Sequence, residues 1–292
     1  MDLHNLHTYL RPQQLADLSG WDPSWNWLAG GTWLFSQPQP HLRGLVDLHS
    51  LGWNELEICN QGLKIGATCT FAQLLKQDWP ADWPGIRALY DGIASLASFK
   101  VAHFATVGGN LCLALTVGVI APVLIALEAT YTLVNLQGSR RQIPAHQFQT
   151  GPQQTLLQAG EALQHIWIPA QRLRGPSSFQ RLGLTQTDPA LVIVVGSRDP
   201  DSGDYRFGLN AAVSPPQLLQ MGSQPNPVHV SGAEHLRVSG AEHLRVSGAE
   251  HQQISSLLAA QVDGWISDFR AGALYRQRMS EVLIRRALAD LG

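Results

Sequence analysis

The chain has 292 residues, with 20 basic and 22 acidic side chains and a formal net charge of −2. That length allows one large or two modest domains with a sizeable core. The balance of charges lacks the basic surplus that nucleic acids and anionic membranes attract, so neither is expected as a partner.

The cysteine pattern argues against metal centres in this chain. Cys59, Cys69 and Cys112 form no CxxC and no set of metal ligands, which predicts reduced thiols in a cytoplasmic protein and no iron–sulfur cluster. Residues 1–11 lack a basic stretch followed by an apolar one, so no signal peptide is predicted. The longest apolar run, 111–127, is too interrupted to span a bilayer.

The first third of the chain alternates short strands with helices. Strands are predicted at about residue 9, up to Leu28, and at 45–48, and a hairpin over 56–59 and 63–67. Thr70 is a suitable N-cap for a helix over 71–76, and a second helix is expected from about 85 to 96.

Two glycine-rich turns are the most informative feature of this region. Residues 29–33 read Ala-Gly-Gly-Thr-Trp, and residues 105–110 read Ala-Thr-Val-Gly-Gly-Asn. Glycine lets a ligand approach the main chain, and consecutive N–H groups in such turns form anion-binding nests. Two such turns predict one shared ligand that carries two or more phosphates.

The rest of the chain reads as a buried helix over 122–129, a hairpin around Gln137-Gly138, and a strand over 162–168. Three further strands are expected at 178–184, 190–195 and 205–213. An amphipathic helix over 272–291 closes the chain. Its predicted apolar side carries Tyr275, Met279, Val282, Leu283, Ala287 and Leu291.

A tandem repeat interrupts the last third of the chain. Residues 230–237 read Val-Ser-Gly-Ala-Glu-His-Leu-Arg, residues 238–245 repeat them, and residues 246–251 begin them again. A period of eight matches none of the common solenoids. We interpret the repeat as a surface loop, since a long loop adds little closure entropy. The alternative is a metal-binding tract formed by His235, His243 and His251.

Several motifs together resemble the FAD-binding subunit of molybdenum hydroxylases, the medium subunits of the xanthine and carbon monoxide dehydrogenase type. The resemblance covers most of the chain and includes both glycine turns. The other matching segments are Tyr9-Leu10-Arg11-Pro12, Leu45-Val46-Asp47-Leu48, Ile65-Gly66-Ala67-Thr68, residues 122–127, Phe148 with Gly151, Glu161 with residues 166–169, Tyr275-Arg276 and residues 285–288.

This resemblance implies an α+β chain with a PCMH-type FAD-binding domain over 1–172, made of two α/β subdomains that divide near residue 55. A C-terminal domain of the carbon monoxide dehydrogenase flavoprotein type follows over 173–292, with a small antiparallel sheet, helices and the repeat loop at 230–251.

The resemblance also implies a site for non-covalent FAD with its pyrophosphate on both glycine turns. The residues carried over are Ala29, Gly30, Gly31, Thr32 and Trp33 in the first turn, and Thr106, Val107, Gly108, Gly109 and Asn110 in the second. Backbone N–H groups would bind phosphate oxygens, and the side chains of Thr32, Thr106 and Asn110 would add hydrogen bonds. His103 and Arg181 are secondary candidates, against the simpler interpretation that each serves its own loop.

The implied activity is that of an FAD-dependent oxidoreductase subunit that does not act on substrate alone. A molybdenum cofactor in a large partner subunit would oxidise the substrate, and [2Fe–2S] clusters in a small partner subunit would carry electrons. FAD here would pass them to NAD or another acceptor. No residue of this chain is expected to act as a catalytic acid, base, nucleophile or metal ligand.

Three departures from the family pattern leave two alternatives open. Trp33 replaces a polar residue, Ala102 replaces the arginine of an Arg-Asn pair, and Val119 occupies the position of an aspartate expected to contact FAD. These losses favour a degenerate scaffold subunit without flavin as the first alternative. A stand-alone flavoenzyme of the same fold is the second, although no polar cluster for its own substrate is evident.

Overall fold

The computed structural model describes residues 4–96, 99–223 and 248–292. The chain begins with a small parallel sheet in the order β1-β3-β2. Its strands are β1 (Thr8–Leu10), β2 (Trp25–Leu28) and β3 (Gly44–Asp47), with 3-10 turns at Leu15–Asp17 and Leu48–Leu51. Tryptophans pack against a small apolar core in this subdomain. The short strand predicted near 45–48 is confirmed as β3, and it lies at the centre of the sheet.

A five-stranded antiparallel sheet follows, in the order β4-β5-β10-β6-β7. Both predicted hairpins and the predicted strand at 162–168 are confirmed within it. Its strands are β4 (Leu56–Cys59), β5 (Gly62–Gly66), β6 (Thr130–Val134), β7 (Arg140–Pro144) and β10 (Ala162–Pro169). Between β7 and β10, β8 (Gln149–Gly151) and β9 (Gln154–Thr155) form a separate two-stranded sheet. The subdomain division predicted near residue 55 falls between the two sheets.

Short helices pack against this sheet. They are α1 (Phe71–Lys76), α2 (Ile86–Ala94), α3 (Phe99–Phe104), α4 (Val107–Leu113), α5 (Ile120–Ala126), α6 (Ala145–Phe148) and α7 (Ala170–Arg174). Helix α1 has the predicted bounds, because Thr70 and Gln73 form a reciprocal capping box. Every residue of α5 is buried, which confirms the predicted buried helix, although it begins two residues earlier and ends three residues earlier than predicted.

The C-terminal region is a four-stranded antiparallel sheet in the order β11-β12-β13-β14, with two helices packed against it. The elements are β11 (Ser177–Leu182), β12 (Val192–Arg198), β13 (Tyr205–Asn210), β14 (Gln217–Met221), α8 (Gly248–Gln261) and α9 (Ala273–Leu291). Strand β14 and helix α8 were not expected from the sequence. The repeat at 230–251 lies outside the described residues up to 247, and its last four residues form the start of α8 rather than a loop.

The buried face of α9 includes Leu283, Ala287 and Leu291 as predicted, but its first turn differs from the prediction. Tyr275 is 47% exposed, whereas the neighbouring Arg276 is fully buried. The Arg276 guanidinium donates hydrogen bonds to the carbonyls of Leu191 (2.7 Å) and Ala211 (2.9 Å). Burial of a charge is tolerated because protein acceptors replace water, so the helix turns an arginine toward the sheet and Tyr275 toward solvent.

Helix α5 joins the two predicted domains. It packs against β12 and β13, and the Ser197 hydroxyl donates to the Ala126 carbonyl at 2.6 Å. Beside it, Glu128 and Arg172 form ion pairs with each other and, across the predicted domain boundary, with Arg206 and Asp199. The boundary at 172 therefore lies next to an extensive polar and apolar contact, and it stays a prediction.

Arg141 and Glu161 tie β7 to the beginning of β10, and this pair predicts an acid-sensitive step. Two hydrogen bonds, of 2.8 and 2.6 Å, join the guanidinium to the buried carboxylate. Arg141 lowers the pKa of Glu161 from its ordinary 4.5, so the stability that Glu161 contributes is present above that pH and lost as pH falls through the lowered pKa. In acid-unfolding curves followed by circular dichroism, Glu161→Gln should therefore lose less stability below pH 4.5 than the wild type. A parallel loss in both proteins would contradict this assignment.

Candidate functional site

The first glycine loop, residues 29–33, follows the carboxyl end of β2. Gly31 has a φ of +67°, which favours glycine, and its carbonyl accepts the amide of Phe35 at 2.9 Å. Within the described parts of the chain, the backbone amides of residues 30–33 have no hydrogen-bond acceptor. Four neighbouring N–H groups are therefore available to an external anion at the carboxyl edge of a parallel sheet, where ligands of α/β folds commonly bind.

The second glycine segment is not a turn, which corrects the sequence interpretation. Thr106 is the N-cap of α4, and Gly108 and Gly109 lie in its first helical turn. Their amides, and those of the flanking residues, are already paired inside the protein. Val107 donates to the Cys69 carbonyl, Gly108 to the Ala67 carbonyl, Gly109 to the Thr106 hydroxyl, and Asn110 to the Thr106 carbonyl, at 2.8–3.0 Å. These four N–H groups are thus engaged before any ligand arrives.

The two glycine segments nevertheless lie against each other. A Cβ added to Gly30 would fall 1.8 Å from the Phe104 carbonyl oxygen, and one added to Gly109 would lie 3.8 Å from the Ala29 Cβ. A Cβ on Gly108 would fall 2.7 Å from Ala67. The glycines at 30 and 108 therefore allow backbone segments to touch, and they hold the loop beside α4.

The polar side chains of the predicted site differ in accessibility. Thr32 is exposed, and Trp33 and Asn110 are half-buried. The Asn110 Oδ1 would lie 3.6 Å from a Cβ on Gly118. Thr106 is 1% exposed and caps α4. Thr32 and Asn110 are thus placed to add a ligand contact, whereas Thr106 has a structural task.

The substituted positions have become parts of the core. Val119 is 3% exposed at the beginning of α5, and Ala102 is 8% exposed. Neither offers a polar atom beyond its backbone. Arg181 donates to the carbonyl of Asp188, in keeping with service to its own loop. His103 is half-buried in α3 beside the loop.

The residues around Ala67 were not assigned a role from the sequence, although they belong to a matching motif. The stretch 67–71 accepts two amides of the second segment and pairs with it through Thr70 and Thr106. Residues 67–71 thus hold the second glycine segment in place. This role follows from pairing between residues distant in the sequence.

The three cysteines are free, and two have thiols unsuited to nucleophilic chemistry. Burial raises the pKa of Cys69 to about 11 and that of Cys112 to about 12, so neither forms a thiolate readily. In the described ranges, no group of three or more histidine, cysteine or acidic side chains is arranged to hold a metal ion.

Two surface clefts, of about 330 and 410 Å³, contain none of the predicted site residues. One lies between Trp53 and His165, and the other beside Arg11 and Trp25. The case for the glycine loop therefore rests on its available amides and not on either of these clefts.

Comparison with known proteins identifies the class to which this fold and loop belong. Residues 5–171 match the family described as the FAD binding domain in molybdopterin dehydrogenase. Because this match spans more than half of the chain, the protein belongs to that family of FAD-binding domains. The resemblance seen in the sequence is thereby confirmed.

Individual relatives agree with this assignment. The nicotine 6-hydroxylase medium subunit of Paenarthrobacter nicotinovorans is 25% identical over 256 residues, which cover 85% of this chain and 82% of that subunit. Xanthine dehydrogenase 2 of Arabidopsis thaliana is 24% identical over 147 residues, 48% of this chain but only 11% of that longer protein.

The fold is also that of a solved relative. A chain of the reconstituted CO dehydrogenase from Oligotropha carboxidovorans superimposes with a TM-score of 0.78 at 20% identity, covering 100% of this chain and 99% of that one. The predicted α+β, PCMH-type architecture is confirmed. None of the described helices is long and apolar enough to cross a membrane.

Proposed function

We propose that the chain binds FAD non-covalently and serves as the flavin-bearing medium subunit of a molybdenum hydroxylase complex. The observation that carries this proposal is the set of available amides at 30–33, in a chain of an FAD-binding family. A pyrophosphate placed there would accept N–H donors that otherwise lack a partner. The residues therefore fit the phosphate part of FAD.

The two predicted segments divide the work unequally in this proposal. The loop at 29–33 binds the pyrophosphate through its backbone, with Thr32 adding a hydroxyl. The segment at 106–110 packs beside that loop, and its amides at 107–110 are already paired within the protein. Its contribution to the ligand is the amide side chain of Asn110. Oriented donors of this kind bind phosphate without any charged side chain.

When bound, FAD supplies the ability to take up electrons singly and release them as a pair. We propose that a small subunit with [2Fe–2S] clusters delivers these electrons and that a large subunit with a molybdenum cofactor generates them. NAD is a candidate final acceptor. The medium-subunit relative, matched along most of both chains, supports such a division of labour.

The flavin content of the purified protein tests this proposal. We expect a yellow protein that releases one FAD per chain when it is denatured, and an apoprotein that regains the flavin spectrum on titration with FAD. Reduction of the bound flavin by a partner carrying iron–sulfur clusters, followed by reoxidation with NAD, would support the proposed direction of electron flow.

The scaffold alternative rests on Val119 and Ala102, which are buried where the family has polar residues. It predicts a colourless protein that does not take up FAD and still copurifies with a molybdenum-containing subunit. That result would replace the electron-transfer proposal. Turnover of a small substrate by the isolated chain would instead favour a stand-alone flavoenzyme.

A further inference from the structure

Two partly exposed phenylalanines border the glycine loop. The ring of Phe35 lies against Gly31, with two ring atoms 2.5 and 2.6 Å from the position of a Cβ on that glycine. Phe104 contributes the carbonyl that touches Gly30. The two residues are 41% and 65% exposed. Each end of the double glycine is thus in contact with a residue that presents aromatic surface to solvent.

The position of Phe35 and Phe104 beside the glycine loop distinguishes them from other exposed apolar residues. A single exposed apolar side chain is ordinary on a protein surface, and Phe269 in the C-terminal region is 98% exposed. Phe35 and Phe104, however, flank the available amides of residues 30–33. A dinucleotide held there by its pyrophosphate carries a flat ring system on each side of the phosphates, and these rings must pass the edges of the loop.

We infer that Phe35 and Phe104 form stacking surfaces for the ring systems of FAD, one for each half of the dinucleotide. This inference rests on the proposed function and adds two residues that the glycine motifs do not include. Stacking on an aromatic side chain strengthens nucleotide binding without a polar contact. It offers a source of affinity in a chain where Ala102 and Val119 provide no polar side chain.

Titration of the full-length apoprotein with FAD, monitored by flavin fluorescence, tests the inference. Phe104→Ala and Phe35→Ala should each raise the Kd for FAD about tenfold, the size expected for one lost stacking contact. Phe269→Ala is the matched control, and its Kd should stay at the wild-type value. Since Phe35 also packs on Gly31, Phe35→Leu keeps apolar bulk there while removing the aromatic face, and it should weaken FAD as well.

Binding of two partial ligands would show which phenylalanine stacks on the adenine and which on the isoalloxazine ring. ADP contains the adenine half with the pyrophosphate, and FMN contains the isoalloxazine half with one phosphate. We expect one phenylalanine variant to lose affinity for ADP and the other for FMN.

The possible outcomes separate this inference from the function beneath it. If the wild type binds FAD and Phe35→Leu and Phe104→Ala bind it equally well, the stacking surfaces are refuted and the flavin proposal stands. If both variants weaken the same partial ligand, the assignment of one ring to each residue is wrong. If the wild type takes up no FAD, the proposed function fails, and the inference fails with it.

Discussion

Gly30→Ala should abolish tight FAD binding and destabilise the N-terminal region. The added methyl group would lie 1.8 Å from the Phe104 carbonyl oxygen and 2.7 Å from its carbonyl carbon. Both atoms belong to the backbone, so the loop and the segment leading to α4 must separate. Overpacking of this kind costs about 1–3 kcal/mol or more, and the amides of residues 30–33 would be displaced with the loop.

Gly20→Ala is the matched control for this substitution. Gly20 precedes the same strand, has no neighbouring atom within 4 Å of an added Cβ and does not require a positive φ. We expect wild-type stability and wild-type FAD affinity for this variant. Affinity would be measured by flavin titration and stability by thermal unfolding. Undiminished FAD binding by Gly30→Ala would show that the loop is not the pyrophosphate site.

Arg276→Met should cause the largest loss of stability in the C-terminal region. The guanidinium is fully buried, donates to the Leu191 and Ala211 carbonyls, and pairs with Asp268 at 2.7 Å. Methionine fills much of the space but leaves two buried acceptors unpaired and one carboxylate without this partner. A buried acceptor left without its donor costs about 1–3 kcal/mol, so the two carbonyls together account for a large share of the stability of a typical domain.

The same helix supplies the control. Arg278→Met changes an exposed arginine two residues away and should leave the midpoint of thermal unfolding nearly unchanged. Arg276→Lys keeps the charge but not the planar fork of donors, and its midpoint should fall between those of the wild type and Arg276→Met. Equal midpoints for Arg276→Met and Arg278→Met would contradict the role assigned to the buried guanidinium.

Asp268, the carboxylate partner of Arg276, has a lowered pKa. Its burial acts to raise its pKa, but hydrogen bonds from Arg270, from the Ala271 amide and from Arg276 outweigh it and hold the pKa well below the usual 3.8. The carboxylate therefore stays ionised in mild acid. The stability that the ionised Asp268 contributes to the fold is present above its ordinary pKa and is lost only as pH falls through the lowered value.

Local signals predicted the parts of the fold whose causes are local. Helix α1 was found with its observed bounds because Thr70 and Gln73 cap it within four residues. The sequence alone favours a turn for the second glycine segment, since glycine disfavours helix, whereas the structure places it in the first turn of α4. The carbonyls of Cys69 and Ala67 that accept its first amides lie 38 and 41 residues earlier in the chain. No spacing rule exposes such a pairing.

The same limit applies to the closing helix and to the site. An arginine in an amphipathic helix is placed by its polarity on the outer side. Burial of Arg276 is compensated by the distant carbonyls of Leu191 and Ala211 and by the carboxylate of Asp268. At the site, the glycines indicated where a phosphate would lie. Which amides remain available depended on tertiary contacts, and it is the loop at 29–33 that keeps them.

The position of α5 has a consequence for work with fragments of this protein. The family match ends at residue 171, which invites truncation there to obtain a small flavin-binding piece. Such a piece would expose a helix whose residues are all buried, and Glu128 would lose both of its ion-pair partners, Arg172 and Arg206. The boundary of the evolutionary unit is therefore not a safe cutting point, and recombinant material should retain the strands that follow it.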